Sequence, residues 1–134
     1  MKVIFLDNDG VICLSNNFGS RFKRQNRPVA EIVADMDLPV EMRFDDFDKK
    51  AIKVLNDVLT ETGAEIIVSS DWRNWASLEE LGEFYESQGI IKRPIGITPF
   101  LKDFNYETAC LFHYKNWFSR IRILEIKEWL NNSE

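Results

Sequence analysis

The sequence has few of the residues that build disulfide frameworks or zinc sites. It contains 2 cysteines and 1 histidine in 134 residues. Cys13 and Cys110 lack the paired spacing of a metal site, and we expect reduced thiols in the core rather than a disulfide. His113 has no partner in the surrounding pattern, so we expect it to have a surface or packing role rather than a catalytic one.

Long hydrophobic runs and an excess of positive charge are also missing. No segment is long enough to cross a membrane and none has the pattern of a signal peptide, so we expect a cytoplasmic protein with no membrane partner. The net charge of −5 argues against a general nucleic-acid binder held by phosphate contacts, although it leaves room for a local basic cluster. The composition, with 45% hydrophobic and 29% charged residues, is ordinary for a globular protein. The length predicts a single domain over residues 1–134.

The most informative stretch lies at residues 3–11 and reads VIFLDNDGV. Four apolar residues stopped by Asp-Asn-Asp-Gly predict a buried parallel strand that ends in a polar turn. Ligands bind at the carboxyl ends of strands in open α/β sheets, so we expect Asp7 and Asp9 in a crevice. One carboxylate would act as nucleophile or metal ligand and the other as proton carrier. The alternative is an ordinary turn, because Asp, Asn and Gly are common turn residues.

A helix and a second strand are predicted after a long irregular segment. Apolar residues recur at helical spacing over residues 47–59, and Gly63 provides a stop. The N-cap is one of Asp45, Asp46 and Asp48. The β-branched run at residues 64–68 then predicts a strand ending at Ser69. Strand, helix and strand form a βαβ unit, so both strands should be parallel, with Asp7 and Ser69 at the same edge of the sheet.

The remaining helices and strand are predicted from the residues that typically begin and end such elements. A capping box at residues 77–80 opens a helix that stops at Gly89, with Leu81, Phe84 and Tyr85 as its apolar positions. Residues 94–99 give a short third strand. A last helix runs from Ser119 to about Asn131 and is predicted to bury Leu124, Ile126 and Leu130.

Two irregular segments separate these elements. Residues 15–46 contain a basic cluster formed by Arg21, Lys23, Arg24 and Arg27. We expect this segment to lie over the active-site edge and to select a substrate with more than one phosphate, the alternative being a solvated charged loop. Residues 100–118 are rich in aromatic side chains, which form either a stacking surface for a base or ordinary packing.

Attack of a carboxylate on phosphorus needs a cation, hydrogen-bond donors and an acid for the leaving oxygen. Asp7 is the candidate nucleophile, and Asp9 is the candidate acid that later activates water. Mg²⁺ would bind the Asp7 carboxylate and the main-chain carbonyl of Asp9. Ser69 and nearby backbone N–H groups would hold the phosphoryl oxygens, and Gly10 lets the chain turn closely around them.

The chain resembles the haloacid dehalogenase (HAD)-like superfamily. Residues 7–11 match its first motif, and residues 66–69 match its second, a Ser or Thr that ends a strand. The chain is more similar still to small HAD domains associated with RNA repair proteins. The shared features are Thr62-Gly63-Ala64, Ser69-Ser70 followed by Trp72-Arg73, Gly96-Ile97-Thr98-Pro99, and finally Arg122, Glu125, Ile126, Trp129 and Leu130. The divergent parts are residues 15–46 and 100–118.

This resemblance implies a Rossmann-like α/β fold, with a mostly parallel sheet flanked by helices and a minimal cap. It implies that Ser70 joins Ser69 in binding phosphate and that Arg122 is the cation of the third motif, with Lys127 as the fallback. The alternative for both cations is a solvent-facing helix charge. Arg73 and Arg24 are candidate substrate contacts, and Arg73 is alternatively a residue that pins the loop after the second strand.

The activity implied by the resemblance is Mg²⁺-dependent hydrolysis of a phosphomonoester through an aspartyl-phosphate. The expected substrate is a phosphorylated small molecule such as a nucleotide, or a nucleic-acid terminal phosphate. The competing interpretation is a catalytically degenerate domain that binds a phosphorylated ligand or a protein without turnover.

The sequence departs from the family pattern at its C-terminal end. Family members continue into a strand ending in paired acidic residues that complete the Mg²⁺ site, whereas this sequence stops at Glu134 without that fourth motif. Asp71 and Asp103 are candidate substitutes. Either the chain is a truncated or minimal form, or its metal binding is weakened. Without that strand, residues 3–6 become an apolar sheet edge. If the 134 residues are the natural chain, we expect residues 11–15, the aromatic segment or a second subunit in a homo-oligomer to shield that edge, whereas a fragment should have a marginal fold and poor Mg²⁺ affinity.

Overall fold

The computed structural model describes residues 1–14, 38–101 and 117–133, with side chains of the last range from Ile121 onward. Its elements in chain order are β1 (Val3–Leu6), α1 (Val40–Arg43), α2 (Lys49–Thr62), β2 (Glu65–Val68), a 3-10 helix (Asp71–Asn74), α3 (Leu78–Ser87), β3 (Gly96–Ile97) and α4 (Trp117–Asn132). The chain divides into two compact units, Met1–Ile97 and Thr98–Glu134. The predicted single domain over residues 1–134 stays a prediction.

The three strands form one parallel sheet in the order β1-β2-β3. Leu6 pairs with Val68 at the end of β1, and Val68 pairs with Ile97 in β3, so the carboxyl ends of all three strands meet at one edge. The predicted α/β fold with a parallel sheet and flanking helices is confirmed. Within the described residues, β1 is an edge strand.

The predicted helix boundaries in the first unit follow from side-chain and glycine caps. The Asp48 carboxylate accepts a hydrogen bond from the Ala51 N–H at 2.9 Å, which starts α2. Gly63 ends α2 with a φ of 67°, a left-handed conformation that glycine adopts without strain. Ser77 and Glu80 form the reciprocal capping box that opens α3.

The core of the first unit is built from one face of each long helix. Helix α2 buries Ile52, Leu55 and Leu59, and α3 buries Leu81, Phe84 and Tyr85. Val54 and Val58 were part of the predicted periodic set, but they are exposed. Ile52, Leu55 and Leu59 have the spacing i, i+3, i+7 and form the buried face of α2. Val54 and Val58 point to a different side of the helix.

Helix α4 differs from its prediction in start and in buried face. It begins at Trp117, before the predicted cap at Ser119. Ile121 and Glu125 are buried, whereas Leu124 and Leu130 are exposed. Positions i and i+4 share a helix face, so Ile121 and Glu125 define the buried one, and the predicted burial of Leu124 and Leu130 is wrong.

Two short elements were not predicted. Helix α1 lies inside the segment expected to be irregular, and the 3-10 helix follows Ser70, whose hydroxyl oxygen accepts the Trp72 backbone N–H at 3.3 Å.

The predicted core position of Cys13 is confirmed, since its thiol is buried. Several predictions lie outside the described residues: those on the basic cluster of residues 21–27, Asp103, Cys110, His113 and most of the aromatic segment. Among the helices that the structure describes, none combines the length and apolar character needed to span a bilayer.

Candidate active site

The site lies where β1 and β2 end. Asp7 directly follows β1, and Ser69 directly follows β2. The backbone N–H of Ser69 donates to the Leu6 carbonyl at 2.8 Å, so the strand ladder continues to the residue before Asp7. The structure therefore brings together the two strand ends that the βαβ pattern placed at one edge.

The loop after Asp7 is a tight turn organised by a single carbonyl. The Asn8 carbonyl oxygen accepts the backbone N–H groups of Val11, Ile12 and Cys13 at 3.2, 3.0 and 2.9 Å. Gly10 has a φ of 78°, which favours glycine, and its N–H donates to the Cys13 carbonyl at 3.1 Å. The Gly10 amide already has a protein partner, and the predicted part of Gly10 in phosphate binding stays a prediction.

The side chain of Asn8 lies in the core rather than in the site. The Tyr85 hydroxyl donates to Asn8 Oδ1 at 2.5 Å, and both residues are fully buried. Burial raises the pKa of Tyr85 above its ordinary value, so the phenol stays neutral and remains a donor. This contact holds the middle of the motif in the core, while Asp7 and Asp9 on either side are only partly buried.

Asp9 is held by a residue from the loop after β2. The indole Nε1–H of Trp72 donates to Asp9 Oδ1 at 3.0 Å. The sequence shows Trp72 only as part of the pattern shared with small HAD domains, and that pattern predicts no role for it. The sequence signal that could have indicated a role for Trp72 is its place in the Trp-Arg pair that follows the second motif.

The two serines after β2 differ in their hydrogen bonds. Ser69 is 2% exposed, and its Oγ has no hydrogen-bond partner among the described residues. Because its backbone N–H is paired with Leu6, the hydroxyl is the donor that Ser69 can offer to a ligand. Ser70 is also buried, and its Oγ caps the 3-10 helix.

The candidate cations lie in three different parts of the chain. Arg73 is a buried residue of the 3-10 helix, and its two predicted roles both stay predictions. Arg122 belongs to the second unit, where its Nη1 lies 4.0 Å from the buried Glu125 Oε1. Lys127 is an exposed residue of that unit. The contribution of both to the site stays a prediction, and Arg24 lies outside the described residues.

The oxygen atoms at the end of β1 suit a magnesium ion. The Asp7 carboxylate and the Asp9 main-chain carbonyl are hard donors, and Mg²⁺ is commonly bound by one or two protein carboxylates while it keeps several waters. Within the described ranges, no group of three or more His, Cys, Asp and Glu side chains forms a metal cluster, so Asp71 does not complete one with Asp7 and Asp9. The donor set therefore fits Mg²⁺ held partly by water and substrate.

A family model described as the HAD domain in Swiss Army Knife RNA repair proteins matches residues 3–134. No curated protein and no solved structure matches the chain.

Proposed function

The chain belongs to the family of HAD domains in Swiss Army Knife RNA repair proteins, and from that membership we propose that it hydrolyses phosphomonoesters through an aspartyl-phosphate. The observation that carries this proposal is the placement of Asp7 and Ser69 at adjacent strand ends, with Asp9 in the turn that follows. In this proposal, Asp7 is the nucleophile, Asp9 the proton carrier and Ser69 the hydroxyl donor, and all three follow strand ends at one edge of the sheet.

In the first step, an Asp7 carboxylate oxygen attacks phosphorus and forms a P–O bond to Asp7. The bond between phosphorus and the ester oxygen breaks, and Asp9 gives its proton to that oxygen, which leaves as an alcohol. In the second step, water attacks the phosphorus and Asp9 accepts a proton from it. The P–O bond to Asp7 breaks, and inorganic phosphate leaves while both carboxyl groups return to their starting states.

Ser69 would donate its hydroxyl to a phosphoryl oxygen. The burial of Ser69 Oγ and the lack of a partner for it among the described residues support this role, because a buried hydroxyl is costly unless it pairs with something. The Asp7 carboxylate and the Asp9 carbonyl would hold Mg²⁺. When bound, this ion supplies positive charge that offsets the repulsion between the carboxylate and the phosphate.

The substrate class is proposed to be a nucleotide or a nucleic-acid terminal phosphate in the cytoplasm. The family description places related domains in RNA repair proteins, which supports a phosphorylated nucleic-acid end. The basic cluster around Arg24 would bind additional phosphates of such a substrate.

The second candidate function is a degenerate domain that binds a phosphorylated ligand or a protein without turnover. It is favoured by one observation, the lack of an acidic cluster of three or more members among the described residues. Weak metal binding would slow the chemistry while leaving the phosphate site intact.

Phosphate release from p-nitrophenyl phosphate, with Mg²⁺ and with a chelator, separates the two candidates. We expect Mg²⁺-dependent turnover in the wild-type protein and a loss on the order of 10⁴-fold in Asp7→Asn, whose circular dichroism should be unchanged. A panel of 5′- and 3′-phosphorylated oligonucleotides then identifies the preferred end. Binding of those oligonucleotides without any release of phosphate would favour the degenerate domain.

A further inference from the structure

Trp72 joins the loop after β2 to the Asp9 carboxylate by a hydrogen bond. The donor–acceptor distance of 3.0 Å is that of a well-formed N–H···O hydrogen bond. Trp72 is 1% exposed, so water does not compete strongly for its N–H. The indole N–H is a hydrogen-bond donor only and is too weak an acid to act as a proton carrier near neutral pH, so it can orient the carboxylate but cannot relay its proton.

The indole is itself held in place by an aromatic cluster. Phe44 stacks on it with ring centroids 4.0 Å apart and an interplanar angle of 5°. Phe47 and Phe84 contact it at centroid distances of 5.4 and 5.7 Å. The Trp72 backbone is fixed as well, because its N–H is capped by Ser70 and its carbonyl accepts the Trp75 N–H at 2.9 Å.

The backbone on the other side of this contact is equally constrained. The Asn8 carbonyl accepts three amide groups of the turn, and the Asn8 side chain is bonded to Tyr85 in the core. The backbone before and after Asp9 therefore has few alternatives, and the main freedom left is rotation of its side chain. The Trp72 hydrogen bond restricts that rotation.

We propose that Trp72 is a positioning residue that orients the Asp9 carboxyl group for proton transfer, an inference that rests on the proposed phosphatase activity. With Oδ1 accepting the indole N–H, the proton moved in the reaction is carried on Oδ2. Asp9 then meets each leaving group with the same oxygen and the same orientation, which lowers the entropy cost of general acid catalysis.

The test uses the dependence of the rate on the leaving group. An ester with a poor leaving group, such as an alkyl phosphate, needs a proton from Asp9, whereas 2,4-dinitrophenyl phosphate releases a stable anion and needs little help. Trp72→Phe keeps an aromatic ring and removes the N–H. A second variant replaces Trp72 with 3-benzothienylalanine, in which sulfur takes the place of the N–H in a ring of nearly the same shape. Phe84→Leu is the matched control, since it perturbs the same cluster and leaves the indole N–H in place.

We expect both Trp72 variants to lower kcat/KM for the alkyl phosphate by about 10-fold and for the dinitrophenyl ester by less than about 3-fold. Phe84→Leu should change kcat/KM for the two esters by the same factor. Equal losses on both esters, or no loss in the benzothienyl variant, would overturn the positioning role while leaving the phosphatase proposal standing.

A second readout does not depend on turnover. In the wild-type protein, the NMR resonance of the Trp72 indole N–H should lie downfield and exchange slowly with solvent. Asp9→Ala should move it upfield and speed its exchange, whereas Asp7→Asn should leave it nearly in place. An unmoved resonance in Asp9→Ala would refute the contact. If wild-type protein hydrolysed neither ester, the phosphatase proposal and the catalytic purpose of Trp72 would both fail, and the NMR result would still report on the contact itself.

Discussion

Ser69 and Ser70 are adjacent in the chain and both buried, yet the structure gives them different tasks. The Ser70 hydroxyl accepts the Trp72 backbone N–H and starts the 3-10 helix. The Ser69 hydroxyl has no hydrogen-bond partner among the described residues, although an unpaired buried hydroxyl destabilises a fold. Its position beside Asp7 is explained if a phosphoryl oxygen pairs with it when substrate binds.

We predict that Ser69→Ala lowers kcat/KM by about 10²-fold without lowering the free energy of unfolding. No described hydrogen bond is lost, so the folded state should not suffer. Ser70→Ala is the control for stability and should cost about 1 kcal/mol, because it removes a cap. Urea unfolding and steady-state kinetics of the two variants measure both effects. Full activity in Ser69→Ala would exclude the hydroxyl as a phosphate ligand.

The motif residues could be predicted from the sequence, whereas the residues that hold them in place could not. Asp7 and Ser69 could be predicted because each residue directly follows the apolar run of its own strand. The signal for each is therefore contained in a few consecutive positions. The Trp72–Asp9 contact joins residues 63 positions apart, and the Tyr85–Asn8 contact joins residues 77 apart. Such contacts depend on packing that no local pattern contains.

Among the secondary-structure elements, helices α2 and α3 could be predicted from local sequence signals. Asp48, Gly63 and the capping box at Ser77 act within one helical turn, and the structure contains all three. The buried face of α4 was harder to predict because its apolar residues are spread around the helix. Exposed Ile123, Leu124 and Leu130 fit several candidate faces, and the buried face contains a charged residue, Glu125.

Helices α1 and α3 are joined by Arg43. Its Nη2 lies 2.5 Å from Glu80 Oε2, and its Nε and Nη1 donate to the carbonyls of Leu38 and Trp75. The hydrogen bond from Arg43, followed by that from the Ser77 backbone, lowers the pKa of Glu80. A carboxyl group whose pKa is lower in the folded state stabilises the fold above its unfolded pKa, and this stabilisation is lost as the pH falls through the folded pKa.

We therefore predict that Glu80→Gln lowers the free energy of unfolding by about 1 kcal/mol at neutral pH. The difference from wild type should disappear as the pH falls below the ordinary glutamate pKa toward the lowered one. Gln still fits a capping box, so the start of α3 should survive. Glu79→Gln removes the same charge from the same turn and should show a smaller difference. A wild-type advantage over Glu80→Gln that is constant with pH would contradict this account.

At the scale of the whole molecule, the βαβ pattern was enough to predict a parallel sheet with both site segments at one edge. The structure confirms the β1-β2 pairing and places β1 at the edge of the sheet within the described residues. What shields this edge, whether residues 11–15, the aromatic segment or a second subunit, stays a prediction. It depends on long-range packing and on association, which hydrophobic periodicity does not encode.

The proposed mechanism requires that Asp7 form a covalent phosphoryl intermediate that Asp9 helps to hydrolyse. Asp9→Asn should retain the nucleophile but lose the group that activates water, so the intermediate should accumulate with a dinitrophenyl phosphate substrate. Mass spectrometry of acid-quenched protein and of its peptides measures this directly. We expect a phosphoryl adduct on Asp7 in Asp9→Asn and none in the Asp7→Asn variant. Release of phosphate by the wild-type protein with no adduct on Asp7 in Asp9→Asn would contradict it.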